Sequence, residues 1–271
     1  ALVNYAYRTS AYLLGSTLQN PGLAMLDPKT GSGMLKYAGI SRQKRFCGLL
    51  FDDPDSHKIS EIYPAVEHVV GGRSQHSFWC VQHENVLLLQ RIASRSQGNF
   101  GSYNTGKIGM HFEGADLEKV EEGGWIFVSN GKAFAGVKFL DGAYQWDEKR
   151  LEATPANFRG PGDTTRILLQ AGDAVGCGSY ARFRETVRAN ALQVTADEVS
   201  YRFGAQHVEM SRYNAAEPER FVLPRINGIN LELRPENTYQ SPYLNGKFGS
   251  DLITVTVGAL TRLLDFSGQG L

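Results

Sequence analysis

No stretch of this 271-residue chain approaches the roughly 18 consecutive apolar residues that a membrane-spanning helix requires. It also lacks an excess of charge of either sign. Lys and Arg total 28 against 28 for Asp and Glu, so no long-range field favours nucleic acid or an anionic membrane. Cysteine is scarce: Cys47, Cys80 and Cys177 show no C-x-x-C spacing, which argues against a structural zinc site. Buried free thiols are the default expectation, and a Cys47–Cys80 disulfide is the alternative. Catalytic signatures are missing too. There is no G-x-S-x-G elbow, no H-x-H or H-E-x-x-H pair, and neither Gly31-Ser-Gly33 nor Gly246-Lys-Phe-Gly249 meets a phosphate-loop or dinucleotide pattern. No repeat of 20–50 residues appears, which argues against solenoids and propellers. No cofactor and no metal are expected, and the catalytic residues stay unassigned.

Aromatics and glycine are plentiful, with 14 Phe, 12 Tyr, 3 Trp and 30 Gly. That composition suits strands and tight turns and is far from that of a disordered chain. Three two-residue hairpin signals recur: Asn130-Gly131 between Trp125-Ile-Phe-Val-Ser129 and Lys132-Ala-Phe-Ala-Gly-Val137, Asn227-Gly228 between Ile226 and Ile229, and Gly258-Ala259 after Leu252-Ile-Thr-Val-Thr-Val257. Such loops need positive φ, which Asn-Gly and Gly-X supply at little steric cost. The expectation is an all-β protein, a large antiparallel β sandwich of two stacked sheets. A two-residue loop at Asn130-Gly131 sets Phe127 across from Phe134, with Trp125 on the same side. Both faces of that hairpin are apolar, which predicts a central position covered on both sides.

Helix is expected chiefly at 179–190, where Ser179 can cap, Phe183 and Val187 share a face, and Asn190 is a plausible stop. Ser77 to Ile92 reads as the longest apolar strand. Pro155 to Asp163 is the best internal boundary, so residues 1–271 form one sandwich region or two lobes divided near 155–163. The chain opens Ala1-Leu-Val-Asn-Tyr-Ala-Tyr, as though already inside a strand. That is expected of a processed chain, a domain, or a piece of a longer polypeptide.

Four of the six histidines fall within residues 57–83. His76 and His83 are an odd number apart and point to opposite sides of a regular strand, so they share no metal without a bulge or turn. The segment around them, Ser74-Gln-His-Ser-Phe-Trp-Cys-Val-Gln-His83, interleaves imidazoles, amides and Trp79. Gly142-Ala-Tyr144-Gln-Trp146-Asp147 is a second aromatic and polar cluster. Sugar sites use this vocabulary, with an aromatic plate for the apolar side of a pyranose and fixed polar partners for its hydroxyls. A ligand face carrying His76, Trp79, His83, Tyr144 and Trp146 is therefore expected. The competing expectation is that these aromatics pack as core.

Several short motifs carry a family resemblance. They are Tyr7-Arg-Thr-Ser-Ala-Tyr-Leu-Leu-Gly15, Gly124-Trp125-Ile-Phe-Val128 with Ala133-Phe-Ala135, Asp141-Gly-Ala-Tyr-Gln-Trp146, Pro235-Glu-Asn-Thr-Tyr-Gln-Ser-Pro-Tyr-Leu244, Gly249-Ser250 and Leu264-Asp265-Phe266. Together they resemble the C-terminal β-sheet part of heparinase II/III-like and alginate-lyase-like polysaccharide lyases. The resemblance implies an α/α toroid upstream or in another chain, and a polysaccharide or oligosaccharide partner. It also implies elimination on uronate-containing glycans in the complete protein, and a secreted or periplasmic parent. This chain has no toroid of its own, so no catalytic residue carries over. Three readings follow: the β-sandwich part of a lyase-like, carbohydrate-active protein that is not catalytically complete alone, a carbohydrate-binding module, or a structural domain bracing a neighbour.

Overall fold

The computed structural model describes residues 2–19, 48–51, 60–66, 77–92, 108–113, 117–149, 151–156, 165–214, 221–231, 238–240, 244–247 and 252–265. Antiparallel strands dominate, as the turn signals predict. They fall into two compact units, one spanning residues 3–231 and one spanning residues 232–271 with residues 1–2.

The core of the larger unit is a six-stranded sheet in the order β5 (Ser77–His83), β6 (Val86–Ile92), β13 (Arg166–Asp173), β10 (Ala133–Phe139), β9 (Trp125–Ser129), β8 (Glu118–Glu122). All five residues of β9 and all eight of β13 are buried, on both sides of the sheet. Such a sheet needs a layer over each face.

Strand alternation sorts those faces. Trp79, His83, Gln90, Trp125, Phe127, Phe134, Arg166 and Gln170 lie on one side by register. That side meets a helix and a five-stranded sheet. The helix is α2 (Tyr180–Ala189), capped by Ser179 and Asn190 as expected, with Phe183 and Val187 buried. A single turn, α1 (Ala174–Cys177), precedes it. Phe183 packs on Phe127 and Phe134, with ring centroids 6.1 and 5.7 Å apart. The sheet is ordered β14 (Ala191–Val194), β15 (Glu198–Phe203), β16 (Gln206–Ser211), β17 (Arg225–Ile226), β18 (Ile229–Asn230). Tyr201 from β15 reaches Trp125, and its hydroxyl bonds both Gln170 and Asn190.

The opposite face carries Gln82, Lys119, Glu121, Val137 and Phe139, and it meets a seven-stranded sheet. That sheet runs β1 (Leu2–Arg8), β2 (Tyr12–Gln19), β3 (Gly48–Phe51), β4 (Ser60–Val66), β7 (Ile108–Glu113), β12 (Glu152–Pro155), β11 (Tyr144–Asp147). Gln82 donates to the Leu14 carbonyl at 3.0 Å, and Phe139 packs on Tyr144. The sandwich thus gains a third layer beyond the two sheets expected.

Four expectations change in detail. In the β9–β10 hairpin Ser129 faces Phe134, and Phe127 faces Gly136 rather than Phe134. The loop centres on Gly131 and Lys132, because Asn130 turns its side chain inward and its Oδ1 accepts the amides of Lys132 and Ala133. This two-residue slip keeps every side chain on its expected face. The run from 77 to 92 is a hairpin, turning at Glu84-Asn85 with Glu84 at φ 47°. No glycine marks that turn. Asn85 instead anchors it by donating to the Ala171 carbonyl at 2.6 Å. Finally, the boundary expected near 155–163 joins β12 to β13, and β13 pairs with β6 and β10 from before it. Cys47, and with it the Cys47–Cys80 pairing, lies outside the described residues.

The smaller unit has one four-stranded sheet, β19 (Thr238–Gln240), β20 (Leu244–Lys247), β21 (Leu252–Val257), β22 (Leu260–Asp265). Its β21–β22 hairpin turns at Gly258-Ala259 with Val257 facing Leu260, as expected. Among the described residues no helix is long and apolar enough to cross a membrane.

Candidate functional site

The expected ligand face is divided by the central sheet. Trp79 is completely buried on the side of the five-stranded sheet, between the rings of Tyr213 and Phe221, each 5.6 Å away. It is a core residue. His83 lies on that same side, its Nε2 2.8 Å from Oε1 of Gln206 and its ring beside Phe203. Tyr144 and Trp146 belong to the seven-stranded sheet and pack against the other side. His76 lies outside the described residues. The two clusters were grouped by their shared aromatic and polar composition, and alternation assigns a residue to a side of its own strand but not its strand to a sheet.

Tyr144 and Trp146 do form a place of their own. Strand β11 is the edge of its sheet, and its alternate residues Tyr144 and Trp146 turn inward and stay half-buried. Opposite them runs β8, the edge of the central sheet, which presents Lys119 and Glu121. The Tyr144 hydroxyl donates to Glu121 Oε2 at 2.6 Å. Lys119 Nζ lies 3.9 Å from the centroid of the Trp146 ring and bonds Glu121 at 3.0 Å and Glu148 at 2.9 Å. The Phe112 ring packs 5.2 Å from Trp146.

The charges there are mutually tuned. Burial disfavours the Lys119 ammonium, but the bonds to Glu148 and Glu121 outweigh it and raise its pKa. The Tyr144 hydroxyl, then Lys119, holds the Glu121 carboxyl below its usual value. Burial, then the Glu121 carboxylate, pushes the Tyr144 phenol well up, so it remains a donor across the ordinary pH range. The result is an indole plate with carboxylate acceptors and a phenol donor along a solvent-facing edge. This arrangement can orient a hydroxyl-rich ring. It contains no nucleophile paired with a base.

A second polar group, on the outward side of the five-stranded sheet, was not legible as a unit in the sequence. Ser200, Arg202, His207 and Glu209 alternate with the buried Val199, Tyr201, Phe203, Val208 and Met210. The turn at Gly204-Ala205 sets Ser200 opposite Glu209 and Arg202 opposite His207. Ser200 Oγ lies 2.7 Å from His207 Nε2, and Glu209 Oε2 lies 3.8 Å from His207 Nδ1. Arg225 grips Glu209 with two bonds, of 3.0 and 2.9 Å, and reaches Glu198 at 2.9 Å. The usable signal was the hairpin itself: once its two-residue loop is placed at 204–205, Ser200 and His207 become diagonal neighbours.

Among the described residues no three His, Cys, Asp or Glu side chains come together in a way that could hold a metal ion. Comparison with protein-family models, curated proteins and solved structures finds no match to this chain.

Proposed function

We propose that this chain is the β-sandwich part of a carbohydrate-active protein, polysaccharide-lyase-like and not catalytically complete alone, with a helical toroid supplied from outside residues 1–271. The resemblance of the sequence motifs supports this reading, and the layered antiparallel fold is compatible with it. The observation that carries sugar recognition is the β8–β11 edge, where Trp146, Tyr144, Glu121 and Glu148 surround the Lys119 ammonium. Lys119 covers one face of the indole. When that side chain swings outward, a pyranose ring takes its place on the indole and its hydroxyls take over as donors to the two carboxylates. The acidic balance of the edge suits a neutral ring better than a uronate. The uronate chemistry of a lyase therefore belongs to the toroid side.

A second reading, a structural domain bracing its neighbour, draws on the complete burial of Trp79 and on the Phe112 and Lys119 contacts of Trp146. One experiment separates the two. The chain and its Trp146→Ala and Tyr144→Phe variants are titrated with neutral and uronate oligosaccharides, following tryptophan fluorescence and calorimetry. Sugar recognition requires binding by the wild type and its loss in Trp146→Ala at near-native melting temperature. If the wild type binds none of them, the bracing reading replaces it.

A further inference from the structure

The geometry points to an esterase site on the outward side of the five-stranded sheet, with Ser200 as nucleophile, His207 as general base and Glu209 as the group that orients the imidazole. It stands apart from the sugar-binding edge and does not depend on it. Its substrate class is carboxylic esters, the acyl compounds that a serine nucleophile paired with an imidazole base cleaves.

The three residues come from one hairpin, so their spacing is set by strand pairing rather than by a loop. Ser200 with Glu209, and Arg202 with His207, are directly opposed pairs across β15 and β16. The short contact of 2.7 Å joins the hydroxyl of one pair to the imidazole of the other. In the tautomer that carries its proton on Nδ1, the nitrogen nearer Glu209, Nε2 accepts from the Ser200 hydroxyl, as a general base must. At 3.8 Å Nδ1 and Glu209 Oε2 are close but beyond hydrogen-bond reach, and in the proposed site this contact tightens when substrate binds.

Neighbouring groups hold this arrangement in place. The His207 amide donates to Asn227 Oδ1 at 2.8 Å, and the Asn227 amide donates back to the His207 carbonyl at 2.8 Å. Arg225 fixes the carboxylate of Glu209 with its fork. The side chains of His207 and Glu209 are only 13% and 16% exposed, although they stand on the outward face. A solvated polar surface would leave them looser. Arg202, exposed, is the residue directly opposite His207 across the two strands, the nearest cation by register to a developing oxyanion.

The reaction balances without a cofactor. Ser200 Oγ bonds to the ester carbonyl carbon as its proton moves to His207 Nε2, and the carbonyl oxygen becomes the oxyanion. The carbon–oxygen bond to the alcohol then breaks, the alcohol leaves with the proton from His207, and acyl-Ser200 remains. Water attacks the acyl carbon while His207 takes its proton. The bond to Oγ breaks, Ser200 regains a proton, and the carboxylic acid departs.

The test uses the whole chain. It is treated with a fluorophosphonate probe and the modified residue is located by peptide mass spectrometry, and hydrolysis of p-nitrophenyl acetate is followed in the wild type and in Ser200→Ala, His207→Ala and Arg202→Ala. Expected are phosphonylation at Ser200, its complete loss in Ser200→Ala, and a fall in hydrolysis of about 100-fold or more in His207→Ala. Far-ultraviolet circular dichroism of each variant checks that it is folded. The probe reaction needs no variant, so a misfolded mutant does not blunt the test. No label on Ser200 of the folded wild type, or hydrolysis by Ser200→Ala equal to that of the wild type, overturns the assignment.

Discussion

Asp141 holds the buried Arg166 by both of its oxygens. Its Oδ1 lies 2.6 Å from Arg166 Nη2, and its Oδ2 accepts the Arg166 backbone N–H at 2.7 Å. The Arg166 side chain is 1% exposed, and Asp141 bonds Arg212 as well, also at 2.6 Å. Replacing Asp141 by Ala leaves a guanidinium in the interior without its counter-charge. The expected loss is about 3 kcal/mol in urea unfolding at pH 7, the lower end for a buried pair because Asp141 is partly exposed. Arg212→Ala, at the more open partner, should cost about 1 kcal/mol or less.

The same pair sets an acid limit on stability. Burial works to raise the pKa of Asp141, but hydrogen bonds from the Arg166 side chain and backbone, and then the charges of Arg166 and Arg212, bring it below its usual value. A carboxyl depressed on folding contributes stability that is fully present above the unfolded value of about 3.9 and is lost as pH falls through the folded one. Unfolding midpoints should therefore drop in that acid window in the wild type, and by less in Asp141→Asn. Equal slopes for the two proteins would remove Asp141 from the explanation.

Two glycines test different parts of the central sheet. Gly131 has φ +89° and open space around its missing Cβ, so Gly131→Val costs only backbone strain, about 1–2 kcal/mol. Gly172 has no such dihedral, but a Cβ there would lie 2.7 Å from Phe183 and 2.9 Å from Cys177 Sγ. Gly172→Ala should cost about 1–3 kcal/mol by overpacking. Adding Phe183→Leu should recover part of that second loss and none of the first. Thermal melts of the wild type, the three single variants and the two double variants decide this.

Trp79→Ala removes a side chain packed on all sides and should cost about 3–5 kcal/mol. Trp146→Ala, at the half-buried β8–β11 edge, should cost about 1–2 kcal/mol. Comparable losses in chemical unfolding would mean that Trp146 is as much core as Trp79.

Local chemistry was legible where it needed no distant partner. Asn227 and Gly228 both take positive φ, at 52° and 78°, and set Ile226 against Ile229, because that turn leaves few other solutions. Ser179 caps α2 by accepting the Arg182 amide, which its position alone foretold. Glu84-Asn85 was missed for the opposite reason. Glu84 is a residue type that rarely takes positive φ, and its turn is tied down by its neighbour Asn85 donating to Ala171, 86 positions away. The register of β9 and β10 was missed because the Asn130 side chain, rather than a two-residue backbone loop at 130–131, accepts the Lys132 and Ala133 amides.

Antiparallel β structure, the sides on which residues of each strand fall, and the caps of α2 follow from the sequence by itself, because each is settled within a few bonds by sterics and by the period-two pleat. The stacking of sheets is a different matter. It depends on which buried faces cover each other across long stretches of chain, and many pairings satisfy the same alternation. Only the tertiary structure buried Trp79, sent Tyr144 and Trp146 to the other side of the central sheet, and brought Ser200 against His207.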